Sequence, residues 1–216
     1  MENVNTVCEG LRYFDKKNRL GILGGTFNPP HLGHLYMAEQ AWSEFGLSRV
    51  VLLPVGDPPH KRNMDVLQKD IRLAMVELLA AERPFLEVCT MEMEREGYTY
   101  TVDTLTALKA KLFHTDLFYL IGTDTLFELV TWRDFRRVFT MTEFICIMRP
   151  GDSAEAVTQE IRRLEEQYGA VIQLSRGFAP DISSTEIRSR RAQGRSVKKM
   201  VPKSVEEFME KNNVFR

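Results

Sequence analysis

With 216 residues, the chain has room for one sizeable α/β domain with a substantial core, and too few for two. Apolar residues at 44% and charged ones at 27%, with 29 basic against 30 acidic side chains, exclude the basic footprint of a nucleic-acid or membrane-surface binder. Cys8, Cys89 and Cys146 are far apart and form no C-x-x-C, which favours reduced thiols of a cytoplasmic protein over disulfides or zinc. No apolar run approaches the ~18–20 residues that a membrane-spanning helix needs.

Residues 1–18 carry neither an apolar stretch nor a cleavage-site pattern, and read as a polar, disordered leader ahead of a folded unit spanning 19–216. Residues 20–23 (LGIL) are a short apolar run of the kind that forms a buried parallel strand. Gly24 and Gly25 follow, able to take positive φ and to let another group approach the backbone. A turn through Asn28, Pro29 and Pro30 leads into an amphipathic helix over 31–45, because the fixed φ of proline suits a first helical turn. Strand, glycine turn and helix together aim unpaired N–H groups and a positive helix end at an anion. His31 and His34 share one face of that first turn, with Gly33 keeping bulk away between them, and the pair reads as a phosphate cradle. Such a pair is also half of a metal site, but no further His or Cys lies nearby in sequence. Trp42, in the same helix, reads as core or surface filler.

The next strand covers 49–55 and ends at a loop whose Pro58-Pro59-His60-Lys61-Arg62 places basic groups at the strand's carboxyl end. A helix over 67–81, a strand over 85–93 and a helix over 101–112 follow, with Thr101 as N-cap and Asp103 suited to the positive helix end. The strand at 116–122 closes on Ile121-Gly122-Thr123-Asp124, then come a short helix and Trp132. A strand over 143–148, a helix over 154–168 and a short strand over 171–174 precede helices over 183–193 and 202–212. Ser183 with Glu186 makes a capping box. That box leaves Arg188 unexplained, since a cation in the early turns of a helix opposes its dipole unless an anion is bound there.

Strands alternating with helices predict an α/β fold: a single Rossmann-like domain, its doubly wound parallel sheet covered by helices on both faces and closed by the C-terminal helices. Ligands on such a sheet sit beyond the carboxyl ends of its strands, where each of these motifs falls.

The string GGTFNPPHLGH resembles the H-x-G-H signature of the adenylyl- and cytidylyltransferase superfamily, in the form typical of the bacterial nicotinate-nucleotide adenylyltransferase family. ISSTEIR is similar to the superfamily's second signature, and the resemblance continues in family order from Gly21 to Arg188, with a closing helix in the tail. It implies that Gly24, Gly25, Thr26, Phe27, His31, His34, Ser183, Ser184, Thr185 and Arg188 bind ATP, with His31, His34 and Arg188 catalytic. By the same resemblance, His60 and Lys61 hold a phosphate, Thr101 lies against a pyridine ring with Tyr98 a lesser candidate, Trp132 stacks on that ring, and Asp124 meets a ribose hydroxyl or helps place the metal. Thr123 stands where the family commonly has a smaller residue, a departure expected to matter little.

The resemblance further implies ATP and nicotinate mononucleotide as substrates, deamido-NAD and pyrophosphate as products, and Mg²⁺ bound mainly through ATP phosphates with no dedicated protein cage. No nucleic-acid, membrane or protein partner is expected. Three alternatives remain open: preference for nicotinamide mononucleotide, preference for phosphopantetheine, or a nucleotide-binding sensor without catalysis. The phosphopantetheine enzymes are typically shorter and lack the PPHK and Trp132 features, while intact His31, His34 and Arg188 speak against a sensor.

Overall fold

The computed structural model describes residues 18–56 and 66–216. Its strands are β1 (Asn18–Gly25), β2 (Arg49–Pro54), β3 (Leu86–Val88), β4 (Thr115–Gly122), β5 (Glu143–Met148) and β6 (Ile172–Phe178). Its helices are α1 (Leu32–Glu44), α2 (Lys69–Ala80), α3 (Thr101–Lys111), α4 (Thr123–Glu128), α5 (Phe135–Met141), α6 (Ala154–Tyr168), α7 (Ser184–Ala192) and α8 (Lys203–Lys211). The strands form one sheet in the order β3-β2-β1-β4-β5-β6, and every neighbouring pair is parallel. The order reverses between β1 and β4, which opens a crevice at their carboxyl ends.

The continuous apolar runs of the central strands have a direct cause: both faces of the sheet are covered. Along β4, Phe118 and Leu120 point into one layer with Leu35, Ala38, Met75, Leu79, Ile187 and Met209 of α1, α2, α7 and α8. Leu117, Tyr119 and Ile121 point into the other, with Leu105, Leu126, Val138 and Leu164 of α3, α4, α5 and α6. The expected doubly wound sheet is therefore present, with helices on both faces. Among the described residues, no helix is long and apolar enough to cross a membrane.

Local expectations fail in several places. Gly24 and Gly25 are the last two residues of β1 and hold no positive φ; the left-handed residue of the turn is Phe27, at φ 48°. His31 is the N-cap of α1 rather than a residue within it. Thr101 is the first helical residue of α3, whose N-cap is Tyr100, because the chain enters in an extended conformation one residue earlier. β3 stops after three residues, and β6 runs further than 174, to Phe178. α5 was not expected. It starts from a left-handed Asp134 without a side-chain cap, and burial of Val138 and Phe139 beside α3 holds it. Cys146 is a free buried thiol, but Cys89 is disulfide-bonded, so the expectation of reduced thiols does not hold for it.

Candidate active site

β1 delivers its carboxyl end to the crevice, and the turn after it carries the first motif onto α1. Gly24 has a steric reason to be glycine: a Cβ there would stand 2.2 Å from the hydroxyl oxygen of Tyr119, which rises from the adjacent β4. Gly33 has another, since a Cβ would meet the His31 ring at 2.9 Å.

The two imidazoles stack, with ring centroids 3.7 Å apart, and the buried Phe27 ring lies 4.8 Å from that of His34. The backbone N–H of His31 donates to Nδ1 of His34 at 3.1 Å. An accepting Nδ1 puts the proton of neutral His34 on Nε2. His31 is buried, and its Nδ1 has no hydrogen-bond partner among the described residues. Burial above all, then the charges of His34 and Arg149, hold the His31 imidazole well below its usual pKa, so it is neutral at pH 7.

Beside this pair, tied to the turn that precedes it, is the N-terminus of α7. The Ser183 hydroxyl accepts from the Glu186 amide at 3.1 Å, as expected of the cap, while the Glu186 carboxylate turns to Arg190 at 2.8 Å. The Ser184 hydroxyl donates to the Pro29 carbonyl at 2.8 Å, which ties the second motif to the first. Arg188 donates to the carbonyl of Asn28 at 2.9 Å and to the Thr185 hydroxyl at 3.2 Å. A guanidinium is thus held beside a helix N-terminus whose first amides point outward, an arrangement that suits an anion.

The cleft between these elements has a volume of about 300 Å³. Gly24, His31, His34, Ser183 and Ser184 line it together with Asp124, Trp132 and Arg149. Trp132 meets Tyr119 edge-on at 5.6 Å and leaves part of its ring exposed to the cleft. Two imidazoles, one arginine and a helix N-terminus around one cavity, with the Arg188 guanidinium behind them, suit a polyphosphate, and Trp132 beside them suits a ring.

Comparison with known proteins gives this chemistry a family. Residues 22–190 match the family model described as Cytidylyltransferase-like. A Thermoanaerobacter sp. (strain X514) protein named "Probable nicotinate-nucleotide adenylyltransferase" is 40% identical, the match covering 94% of this chain and 96% of the relative. A Desulfitobacterium hafniense (strain Y51) protein of the same name is 38% identical over 92% and 96%. The chain belongs to the nicotinate-nucleotide adenylyltransferase family. The solved structure "Plasmodium falciparum nicotinic acid mononucleotide adenylyltransferase complexed with NaAD" shares the fold, with a TM-score of 0.72 at 15% identity over 92% of this chain and 97% of that one.

Set beside the family's motifs, the geometry brings about half of the expected residues into the lining of one cleft. Gly24, His31, His34, Asp124, Trp132, Ser183 and Ser184 line the cleft. Gly25, Thr26, Thr185 and Arg188 stand behind that lining, and the Phe27 ring is committed to the core. Thr101 is also set back, where it shares a hydrogen bond with the Tyr119 hydroxyl. His60 and Lys61 lie outside the described residues. Tyr98 is exposed and does not line the cleft.

Three participants escaped the sequence. Arg149 leaves the end of β5 into the cleft and pairs with Asp124 at 3.0 Å; the signal was a cation directly after an apolar strand at the ligand-binding edge. Tyr119 looked like one more core residue of β4. Asp152 accepts both the Arg149 amide at 2.6 Å and the Thr123 hydroxyl at 2.7 Å. The buried Thr123 hydroxyl thus has a partner at the corner that carries Arg149. Among the described residues, no group of three or more His, Cys, Asp or Glu side chains is placed to hold a metal ion.

Proposed function

We propose that the chain transfers the adenylyl group of ATP to nicotinate mononucleotide, giving nicotinate adenine dinucleotide and pyrophosphate. One observation carries the reading: the stacked His31–His34 pair at the head of α1 and the head of α7 line a single cleft, in a chain of this family. A 5′-phosphate oxygen of the mononucleotide attacks the α-phosphorus of ATP. A P–O bond forms as the bond from that phosphorus to the bridging oxygen breaks, and the electron pair leaves with pyrophosphate. The attacking phosphate is already anionic at neutral pH, so the protein need only position the reactants and stabilise developing charge.

His34 donates from Nε2 to the α-phosphate, since its Nδ1 is occupied by the His31 amide. Neutral His31, kept uncharged by burial, donates one N–H to the same group. The amides at the head of α7 and the Arg188 guanidinium take the departing β- and γ-phosphates. Gly24, Gly25 and Thr26 bring backbone close to ATP, with Thr185 beside Arg188. Arg149 exchanges its exposed partner Asp124 for a substrate phosphate, because such a surface pair is held by no more than about 1 kcal/mol. Trp132 stacks on the pyridine ring, and Thr101 acts on it through Tyr119. Lys61 and His60 serve the mononucleotide phosphate.

The donor set fits a metal ion carried in by ATP. Asp124 is the only carboxylate among the residues described as lining the cleft, and Mg²⁺ is usually bound by one or two carboxylates together with substrate phosphates and water. Held by ATP and Asp124, the ion would neutralise phosphate charge.

Pyrophosphate release with MgATP and three acceptors tests the reading. Nicotinate mononucleotide should support turnover far better than its amide, and phosphopantetheine should support none. Equal use of the amide would overturn the specificity, and silence with all three would overturn the activity.

A further inference from the structure

Arg72, on the first turns of α2, is 1% exposed. Its guanidinium donates to four backbone carbonyls: Leu67 at 3.1 Å, Thr26 at 2.9 Å, Val55 at 2.8 Å and Gly56 at 2.8 Å. Thr26 follows the end of β1, and Val55 and Gly56 follow the end of β2. The cation thus gathers carbonyls where the two strands run out and ladder partners end. Asn28 adds a second tie, its side-chain oxygen accepting from the Leu67 amide at 3.2 Å while its carbonyl receives Arg188 at 2.9 Å.

Between Thr26 and Asn28 stands Phe27, at φ 48°. A bulky residue in the left-handed region persists only where its surroundings over-determine it. Here Arg72 grips the residue before and Arg188 the residue after. The Phe27 ring, buried by that turn, lies against His34. We infer that Arg72 is a positioning residue of the adenylyl-transfer site, which fixes the Thr26–Phe27 turn and through the Phe27 ring sets the orientation of His34. Arg72 itself touches no substrate. Lysine at this position keeps the charge but not the planar fork that spans four acceptors.

This inference rests on the proposed activity, and the test separates the two. Arg72→Lys is compared with Leu164→Ala, a fully buried change in the opposite layer. Each is measured for kcat per folded enzyme, KM for ATP, and the ring resonances and titration of His34 by NMR. Arg72→Lys should lower kcat at least tenfold with KM for ATP changed less than threefold, and should shift the His34 resonances. Leu164→Ala should lower the unfolding temperature and leave kcat and those resonances in place. Phe27→Leu, with Arg72 intact, should reproduce both the kcat loss and the His34 shift, and it decides the matter if Arg72→Lys does not fold. Wild-type kcat and unshifted His34 in Arg72→Lys, or the same in Phe27→Leu, would overturn the role. If the wild type releases no pyrophosphate the activity falls, yet the His34 resonances still answer for Arg72.

Discussion

Gly24→Ala tests the packing at the head of the cleft with a single methyl group. That Cβ would lie 2.2 Å from the Tyr119 hydroxyl oxygen and 3.2 Å from Cζ, the next atom of the ring. Tyr119 cannot swing aside, because its ring is wedged between Trp132 at 5.6 Å and Phe144 at 6.3 Å. Overpacking of this kind costs about 1–3 kcal/mol. At roughly 2–4 °C per kcal/mol for a domain of this size, a cost near 2 kcal/mol lowers the unfolding temperature by about 4–8 °C. Tyr119→Phe alone loses the hydrogen bond to Thr101, at about 1 kcal/mol. The double variant removes the oxygen that clashes and leaves a tight but passable contact, so its loss should be about 1 kcal/mol rather than the sum of about 3 kcal/mol. Chemical denaturation of all four proteins measures the coupling. Additivity within about 0.5 kcal/mol would show that the hydroxyl is not what excludes a side chain at Gly24.

Four further outcomes are expected. His34→Gln keeps an acceptor for the His31 amide and so should fold normally, but lose turnover by about 10²-fold or more; an active variant would remove His34 from the chemistry. Trp132→Ala should raise KM for the mononucleotide about 5- to 150-fold, as expected for a lost stacking platform, and raise KM for ATP much less; equal effects would refute a ring-binding role. Arg149→Met should cost little stability, since its partner Asp124 is mostly exposed, while kcat/KM falls about 10²-fold; unchanged kinetics would leave Arg149 a surface cation. His31 resists protonation in the fold but takes a proton near its usual 6.5 once unfolded, so the unfolded state binds more protons as pH falls through that range, and stability drops with it. In His31→Leu the difference in unfolding temperature between about pH 7.5 and about pH 5.5 should shrink, and an unchanged difference would place the acid sensitivity elsewhere.

The sheet and most of its helices were legible because their signals are local. Runs such as VVLL and FICI have the length and β-branched content of strands buried on both faces, and the helical stripes at 69–80 and 154–168 repeat at their own period. α5 carried no such signal: its seven residues have no cap, and only burial beside α3 makes them helical. His31, His34, Ser183 and Ser184 could be named because their motifs sit next to strand ends and helix starts, which in a parallel sheet converge on one edge.

By itself the sequence determined the order of the strands and of most helices, and the edge at which its motifs gather, since each follows from neighbours a few positions apart. The tertiary structure alone decided the rest. It moved the left-handed turn residue from the glycines to Phe27, kept His31 neutral, brought Arg149 to Asp124, and set Arg72 under the loop of Thr26. Each of these depends on which atoms arrive from distant segments and how much water they exclude, and no local window of residues contains that information.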